Sequence, residues 1–313
     1  MSRLGVGCSR MSAPPRDDAE SIATLHALLD AGVNFLDTAD FYGMGHNEAL
    51  IGRAIKDRRD QAFLSVKCGM MLSPTGAFLG LDGRPSAVKN FCAYSLQRLG
   101  VEVIDLYQPG RPDPAVPYEE TIGAVADLIK DGKVRYLGVS EVGAHDLRRA
   151  HSVHPVAALE IEYSLACRFI EDEILVAARD LGLALVAYRT LADGLLSGAV
   201  TEEPTRGPTV HLTPPRLKGE NLKHNLQAMV ALRDMAAQKG RTPAQLALAW
   251  LLSRGEDVIA LIGMRRRSRL RENLEVLDIA FDAEELAGLD RAFGPGAIEG
   301  ERYPPFVMKY AAR

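Results

Sequence analysis

Short apolar runs alternate with longer stretches of helical periodicity along almost the whole chain. The runs carry many β-branched and aromatic residues, which favour strands, whereas the stretches between them place apolar residues at helical spacing. We predict eight strands, at residues 3–8, 33–37, 61–67, 103–108, 134–140, 156–164, 183–189 and 258–263. Glycines typical of helix ends precede many of these strands, namely Gly32, Gly100, Gly132, Gly182 and Gly255.

This alternation predicts an α/β fold. Strands that alternate with helices form parallel sheets, because each helix returns the chain to the end where the next strand begins. Eight such units in 313 residues favour a (β/α)8 TIM barrel over an open doubly wound sheet. An open nucleotide-binding sheet would carry G-x-G-x-x-G after its first strand, and "GVGCSR" at 5–10 lacks the third glycine. We expect a single domain over residues 1–313.

Composition and charge narrow the classes of function. The net charge of −4 argues against nucleic acid as the main partner, since phosphate backbones attract positive surfaces. No apolar run approaches the roughly 20 residues that span a bilayer, and the N-terminus lacks the apolar core of a secretory signal. The four cysteines are far apart, and no Cys or His pattern completes a metal site. We therefore expect a cytoplasmic protein with no membrane contact and no metal.

Polar residues stand where several predicted strands end, and in a barrel these ends surround the active site. Asp37 ends the second strand, Tyr42 follows five residues later, and Lys67 ends the third strand. A tyrosine hydroxyl has a pKa near 10, which is high for a proton donor at neutral pH. A nearby lysine favours the phenolate and lowers that pKa, and a carboxylate holds the lysine. This set predicts a proton donor for the alkoxide that forms during hydride transfer to a carbonyl.

Several segments resemble those of the aldo-keto reductases, in the same order. "GVNFLDTADFYG" is similar to the signature around that family's catalytic Asp and Tyr, and "LSVKCG" to the segment with its lysine. "GKVRYLGVSE", "LEIEYSL", "VAYRTLADGLLSG" and "LIGMRRRSRLRENL" resemble its nicotinamide and phosphate segments. The resemblance covers nearly the whole chain. It implies a (β/α)8 barrel that binds NADPH across its mouth and reduces aldehydes and ketones.

The resemblance places three of the family's four catalytic residues on Asp37, Tyr42 and Lys67. The fourth is normally a histidine at the end of strand four, and that position in "IDLYQPGRPD" is Gly110. In one interpretation the site works without this histidine and has room for a larger or differently oriented substrate. In the other, the carbonyl reaction is impaired and the chain has another role. We favour the first, because the other three residues are intact.

Residues near this position complete the candidate substrate pocket. His46 and Arg111 are possible replacements for the missing donor, although each is more typical of a loop residue without a catalytic role. Met70 and Phe78 follow the third strand, and we expect them to line the pocket together with Gly110. The segment 189–222, rich in proline, glycine and threonine, could fold over the barrel mouth.

The resemblance also implies the contacts of the nicotinamide. The family holds the carboxamide with Ser, Asn and Gln, and the matching residues here are Ser140, Glu141 and Glu160. A carboxylate accepts from the amide nitrogen but donates to its oxygen only when protonated. Tyr188 matches the aromatic residue that stacks on the ring. Arg189 replaces a small residue and is placed to pair with Glu160 or Glu141, with the pyrophosphate, with an anionic substrate, or in a purely structural salt bridge.

The phosphate contacts are implied in the same way. They are Leu191, Asp193 and Leu195 in the loop over the pyrophosphate, and Gly263, Arg265, Arg269, Glu272 and Asn273 after the last strand. Arginines are planar bidentate donors that suit phosphate. The family pattern puts Arg265 and Arg269 on the 2′-phosphate, which predicts NADPH over NADH, with Glu272 and Asn273 near the adenine. A solvated basic helix face is the alternative for this arginine cluster.

We therefore expect an NADPH-dependent oxidoreductase that reduces a small-molecule aldehyde or ketone to an alcohol, with Tyr42 as the proton donor. A second interpretation is reduction of a conjugated C=C bond, because the change at Gly110 alters where the substrate carbonyl can lie. A third is a catalytically weak regulatory subunit that binds NADPH.

Overall fold

Eight parallel strands close into a barrel in the computed structural model, which describes residues 1–200 and 213–312. The strands of this part of the chain are β1 (Leu4–Gly7), β2 (Phe35–Ala39), β3 (Phe63–Cys68), β4 (Met70–Leu72), β5 (Phe78–Leu81), β6 (Ile104–Pro109), β7 (Val134–Ser140), β8 (Val156–Glu162), β9 (Ala184–Tyr188) and β10 (Val258–Ile262). The barrel order is β1-β10-β9-β8-β7-β6-β3-β2, and β4 and β5 form a separate hairpin. All eight predicted strands are present, so the (β/α)8 prediction is confirmed.

Helices surround the barrel. The α-helices of the described ranges are α1 (Asp18–Asp30), α2 (His46–Ile55), α3 (Pro85–Leu99), α4 (Tyr118–Lys130), α5 (Ala144–Val153), α6 (Ile174–Asp180), α7 (Gly219–Gln238), α8 (Pro243–Ser253), α9 (Leu270–Leu274), α10 (Ala283–Ala292) and α11 (Pro305–Met308). Local sequence fixes several ends: the Asp17 side chain caps α1, Thr242 and Gln245 form a capping box on α8, and Gly100 ends α3 at a φ of 66°. None of the helices described is long and apolar enough to cross a membrane.

The barrel interior is apolar towards the amino ends of the strands. Phe35, Leu106, Ala158 and Val186 belong to one buried cluster inside the barrel. Side chains alternate along a strand, so Asp37 points to the same side as Phe35, one step closer to the carboxyl end. The apolar layer therefore supports a polar layer of the barrel, where the candidate site lies.

Two segments lie near the barrel mouth. The β4–β5 hairpin follows β3, and its Phe78 ring meets Tyr310 edge-on, with ring centroids 5.7 Å apart. The sequence did not predict this hairpin. The C-terminal segment, residues 299–312, supplies Tyr310 and also contacts the ends of β7 and β9. Of the predicted mouth loop 189–222, residues 201–212 lie outside the described residues.

Candidate functional site

Asp37 and Lys67 form an ion pair at the carboxyl ends of the neighbouring strands β2 and β3. The Lys67 ammonium lies 2.6 Å from each carboxylate oxygen of Asp37, and both side chains are buried. The Ser65 hydroxyl donates a further hydrogen bond to Asp37, at 3.1 Å. The sequence predicted a carboxylate that holds Lys67, and the structure places these two groups together.

A second carboxylate, that of Glu160, also contacts Lys67. Its two oxygens lie 3.1 and 3.2 Å from the ammonium. The Gln108 amide donates to Glu160 at 2.6 Å and to Ser65 at 3.1 Å. Asp37, Lys67, Glu160, Gln108 and Ser65 therefore form a closed ring of hydrogen bonds from four strands. The sequence did not predict that Glu160 reaches Lys67 or that Gln108 belongs to the site.

The two carboxylates share one ammonium, and this shifts pKa values in the ring. Burial raises the pKa of Asp37 above its usual value, the Glu160 charge raises it further, and Lys67 opposes both. Burial would lower the pKa of Lys67, but the charges of Asp37 and Glu160 outweigh it and raise that pKa. Lys67 is therefore a fixed cation at neutral pH.

Tyr42 lies in a tight turn, Tyr42–Gly45, directly after β2. Tyr42 is half-buried, and the centre of its ring lies 5.3 Å from the Lys67 ammonium. Burial raises the pKa of the Tyr42 hydroxyl; Lys67 lowers it, and the charges of Asp37 and Glu160 raise it again. Lys67 lowers this pKa as predicted, but the net pKa is raised because burial is the larger influence. Tyr42 therefore keeps its proton at neutral pH, and Lys67 is the neighbour that favours release of this proton.

Polar contacts from the β1–α1 loop hold the turn that carries Tyr42. The Asn47 amide donates to the hydroxyl of Ser12 at 2.9 Å, and Ser12 also contacts His46 at 2.8 Å. His46 reaches Asp18 at 3.2 Å with its other ring nitrogen. Both nitrogens of His46 are thus engaged in holding the turn, which argues against its role as a replacement donor. Gly43 has a φ of 58°, and a Cβ there would come within 2.8 Å of Ser12.

Gly110 follows β6 and leaves space beside Lys67. Its amide donates to the carbonyl of Cys68 at 2.8 Å. A Cβ at Gly110 would lie 3.9 Å from the Cβ of Lys67, 3.8 Å from the Phe41 ring and 3.2 Å from the Cys68 carbonyl oxygen. The Cβ of any other residue at this position would therefore lie beside Lys67. It would be slightly crowded by the carbonyl oxygen of Cys68.

Arg111 turns from Gly110 towards the ends of β7 and β9. Its guanidinium lies 3.3 Å from the hydroxyls of Ser140 and Tyr188 and 3.4 Å from that of Tyr303. Its Nε is buried and has no partner among the described residues. Arg111 therefore links the Gly110 loop to the predicted nicotinamide residues and to the C-terminal segment.

The predicted carboxamide ligands separate into two groups. Ser140 and Glu160 are register partners on β7 and β8, and both are buried in the barrel mouth. Glu141 faces away from them and accepts two hydrogen bonds from Arg302, at 2.9 and 2.7 Å. Tyr188 donates to Glu141 at 2.8 Å and also hydrogen-bonds the hydroxyl of Tyr303. The structure thus keeps Ser140 and Glu160 together and assigns Glu141 to the C-terminal segment.

Arg189 forms salt bridges at the end of β9 and contacts the C-terminal segment. It lies 3.4 Å from Asp193 and 3.8 Å from Glu162, and it donates to the carbonyl of Arg302 at 2.9 Å. Its guanidinium also covers the Tyr303 ring, 4.1 Å from the centroid. Among the described residues Arg189 pairs with neither Glu160 nor Glu141, and its contacts match the alternative of a structural salt bridge.

Buried charges under the C-terminal segment form a network that sequence reasoning missed. Glu162 is fully buried, 2.6 Å from Arg216 and 3.5 Å from Arg302. Arg216 is also buried and lies 3.1 Å from Asp193. An unpaired buried charge is costly, so these residues depend on one another. The only sequence signal was an excess of charged residues near the ends of β8 and β9.

Burial and paired arginines set the titration of Glu141. Burial alone would raise its pKa, but Arg111 and Arg302 outweigh it and hold the pKa at about 2, against an ordinary value of 4.5. A lowered folded-state pKa contributes stability that is complete above the unfolded value and is lost as pH falls through the folded value.

We therefore expect the stability advantage of the wild-type chain over Glu141→Gln to be constant at neutral pH and to shrink between about pH 4.5 and pH 2. Denaturant unfolding of both chains across this range measures it. An advantage that does not change over the same interval would contradict this assignment.

The predicted pyrophosphate loop is a tight turn after β9. Ala192 and Asp193 have φ values of 49° and 57°, which non-glycine residues rarely adopt. Leu195 is fully buried, and Leu191 packs against the same core. The salt bridge of Asp193 to Arg216 and these apolar anchors hold the strained backbone in place. This rigid loop is compatible with backbone contacts to a bound phosphate.

The predicted adenosine-phosphate residues lie together after β10. Gly263 is exposed. Arg265 is half-buried, and its guanidinium donates hydrogen bonds to the carbonyls of Ala13 and Pro15. The exposed Arg269 pairs with Glu272 at 2.6 Å. Asn273 donates to the sulfur of Met264 at 3.4 Å. These arginines remain accessible, so the donor set fits a phosphate.

Two cavities of about 750 Å³ each adjoin the C-terminal segment. Phe169 and Phe293 border one, and Tyr118 and Tyr310 border the other. Tyr42 borders neither of them. The predicted pocket residue Phe78 is partly exposed on the β4–β5 hairpin, and Met70 is half-buried at its start. No group of three metal-ligating side chains converges within residues 1–200 and 213–312.

Comparisons with known proteins match the chain to one family in sequence and in fold. The model of the Aldo/keto reductase family matches residues 3–293. A Glycine max protein named probable aldo-keto reductase 1 is 36% identical over 319 residues, which cover 99% of this chain and 92% of that protein. A glycerol dehydrogenase from Gluconobacter oxydans, whose structure is known, is 30% identical to this chain in sequence. The two structures match with a TM-score of 0.85 over 93% of this chain and 91% of that one. An aldo/keto reductase from Klebsiella pneumoniae in complex with NADP and acetate is 28% identical, with a TM-score of 0.76 and coverage of 97% and 95%.

Proposed function

Because the chain belongs to the aldo/keto reductase family, we propose that it reduces a small aldehyde or ketone to an alcohol with NADPH. The observation that carries this proposal is the buried Asp37–Lys67 ion pair beside the protonated Tyr42. The Klebsiella pneumoniae relative was crystallised with NADP and, in a second structure, with NADPH, which supports the choice of cofactor.

Tyr42, Lys67 and Asp37 each have a role in this reaction. NADPH, when bound, supplies the hydride that goes to the carbonyl carbon. Tyr42 gives its hydroxyl proton to the carbonyl oxygen as negative charge develops there. Lys67 stabilises the phenolate that remains, and Asp37 holds Lys67 in position. Gly110 leaves space beside Lys67 where a substrate group can lie.

The cofactor contacts follow from the arrangement at the mouth. Ser140 and Glu160 would hold the carboxamide and Tyr188 would face the nicotinamide ring. The turn with Leu191, Asp193 and Leu195 would cover the pyrophosphate. The proposed 2′-phosphate ligands are Arg265 and Arg269, with Gly263, Glu272 and Asn273 beside them.

We expect NADPH to bind more tightly than NADH, because only NADPH carries the 2′-phosphate. A charge-assisted hydrogen bond contributes roughly 1.5–3 kcal/mol, so Arg269→Ala should weaken NADPH binding about 10- to 100-fold and leave NADH binding nearly unchanged. Arg271→Ala is the control, since Arg271 is exposed and pairs with Glu275. Titration calorimetry with both cofactors measures this. Equal affinity of the wild-type chain for NADPH and NADH would refute the assignment.

Steady-state NADPH oxidation over aldehydes, ketones and enones tests the proposed reaction. We expect turnover of aldehydes or ketones, with the alcohol as product. A saturated ketone formed from an enone would instead indicate reduction of the C=C bond. Cofactor binding without turnover of any substrate would favour a regulatory subunit.

A further inference from the structure

The residues proposed for the nicotinamide carboxamide supply only one donor for its oxygen. A primary carboxamide has an oxygen that can accept two hydrogen bonds and an amino group that donates. Glu160 is a carboxylate and accepts, and its register partner Ser140 offers a single hydroxyl. Glu141, the remaining residue of the predicted set, is turned away and accepts from Arg302. A second donor to the carboxamide oxygen would therefore come from another residue.

Arg111 places its guanidinium beside Ser140, 3.3 Å from the Ser140 hydroxyl. An arginine only donates, so Ser140 accepts in this contact and its own hydroxyl hydrogen is left for another acceptor. The other contacts of the guanidinium go to the Gly110 carbonyl at 2.5 Å and to the hydroxyls of Tyr188 and Tyr303 at 3.3 and 3.4 Å. The three hydroxyl contacts are longer than the roughly 2.9 Å of a good N–H···O bond. The Nε of Arg111 has no partner among the described residues, so this guanidinium can make further hydrogen bonds.

We propose that Arg111 is a ligand of the nicotinamide carboxamide. Together with Ser140 it donates to the carboxamide oxygen, and Glu160 accepts from the amino group. This inference rests on the proposed function, because it needs the nicotinamide to lie beside Ser140 and Glu160. Two neighbouring donors and an acceptor on the next strand match the hydrogen-bonding groups of a primary amide. Arg111 thus supplies the donor that the carboxylate of Glu141 cannot supply.

The loop that carries Arg111 holds the guanidinium at the end of β7. The Gly110 amide donates to the Cys68 carbonyl at 2.8 Å, and the Gly110 carbonyl accepts from the guanidinium. These bonds direct Arg111 towards Ser140, while Gly110 leaves space beside Lys67. Hydride transfer needs the reacting carbons to be aligned, so a second donor to the carboxamide would help to fix the orientation of the nicotinamide ring.

Two ligands separate a contact with the carboxamide from every other contribution of Arg111. NADPH contains the carboxamide, whereas 2′-phospho-ADP-ribose lacks the whole nicotinamide. Arg111→Met keeps an unbranched side chain and removes every donor. We expect this change to weaken NADPH binding about 10- to 100-fold, the range of a hydrogen bond from a charged group, and to leave the affinity for 2′-phospho-ADP-ribose near the wild-type value. Titration calorimetry on the purified full-length chain measures both dissociation constants.

The control is Arg148→Met, the same chemical change at an exposed arginine on α5 that lies 4.0 Å from Asp180. It should leave both affinities unchanged. A further measurement needs no variant to fold. Sulfur accepts hydrogen bonds more weakly than oxygen, so the wild-type chain should bind the thionicotinamide analogue of NADPH less tightly than NADPH itself.

Three results would overturn this inference and leave the proposed function intact. They are an unchanged NADPH affinity in Arg111→Met, equal losses for NADPH and 2′-phospho-ADP-ribose in that variant, and equal wild-type affinity for NADPH and its thionicotinamide analogue. Equal losses would show that Arg111 acts on the rest of the cofactor site. A wild-type chain that binds neither NADPH nor 2′-phospho-ADP-ribose would overturn the proposed function as well.

Discussion

Tyr42→Phe should lower kcat for carbonyl reduction by about 10²- to 10⁴-fold, the usual contribution of a positioned proton donor. The Tyr42 hydroxyl is protonated at neutral pH, and Lys67 is close enough to stabilise the phenolate left behind. Phenylalanine keeps the ring and removes the donor. Cofactor affinity should therefore stay near the wild-type value, and steady-state kinetics together with cofactor titration measure the two effects.

Tyr136→Phe is the matched control, because Tyr136 is an exposed tyrosine near the amino end of β7, where it stacks on Phe63 and not on the Asp37–Lys67 pair. It should leave kcat and cofactor affinity unchanged. Full activity in Tyr42→Phe would contradict the role of Tyr42, and a search for the donor would then turn to Arg111.

Glu141→Ala should destabilise the folded chain by about 3–5 kcal/mol, the usual cost of removing one partner of a buried ion pair. Arg302 donates two hydrogen bonds to Glu141, and without them it would keep a hydrogen bond to the carbonyl of Ala312 at 2.6 Å and a 3.5 Å contact to the Glu162 carboxylate. The Tyr188 hydroxyl and the amide of Ala312 would lose an acceptor as well. The free energy of unfolding, measured in denaturant at neutral pH, checks this value.

The control for this loss is Glu119→Ala, which removes another carboxylate that accepts two hydrogen bonds from one arginine. Glu119 pairs with Arg149 at the surface, at 2.7 Å for both contacts. Exposed pairs contribute little, so this change should barely move the unfolding midpoint. Equal losses in the two variants would show that burial of the Glu141–Arg302 pair does not add to its stability.

The barrel could be predicted from the sequence because each strand is a compact apolar run that ends near a turn signal. Asp37 and Lys67 were found for the same reason, since they mark the ends of their strands and parallel strand ends meet in a barrel. The β4–β5 hairpin was missed. Its strands are short and partly exposed, so they lack the apolar pattern that marked the barrel strands.

Contacts between distant parts of the chain explain the remaining misses. Glu160 and Lys67 are 93 residues apart, and Glu141 and Arg302 are 161 residues apart. No local pattern joins such residues, and the register of the strands and the path of the C-terminal segment decide which of them meet. The net pKa shift of Tyr42 could not be predicted because the extent of burial depends on the folded barrel. The Lys67 contribution had the predicted sign.

The fate of the transferred hydride tests the central claim most directly. The chain is incubated with an enone and with NADPH that carries deuterium at the transferable position, and the product is examined by NMR. We predict deuterium on the carbon that bears the new hydroxyl group, with incorporation lost in Tyr42→Phe. Deuterium on the carbon β to an intact carbonyl, or a product without deuterium, would contradict carbonyl reduction at this site.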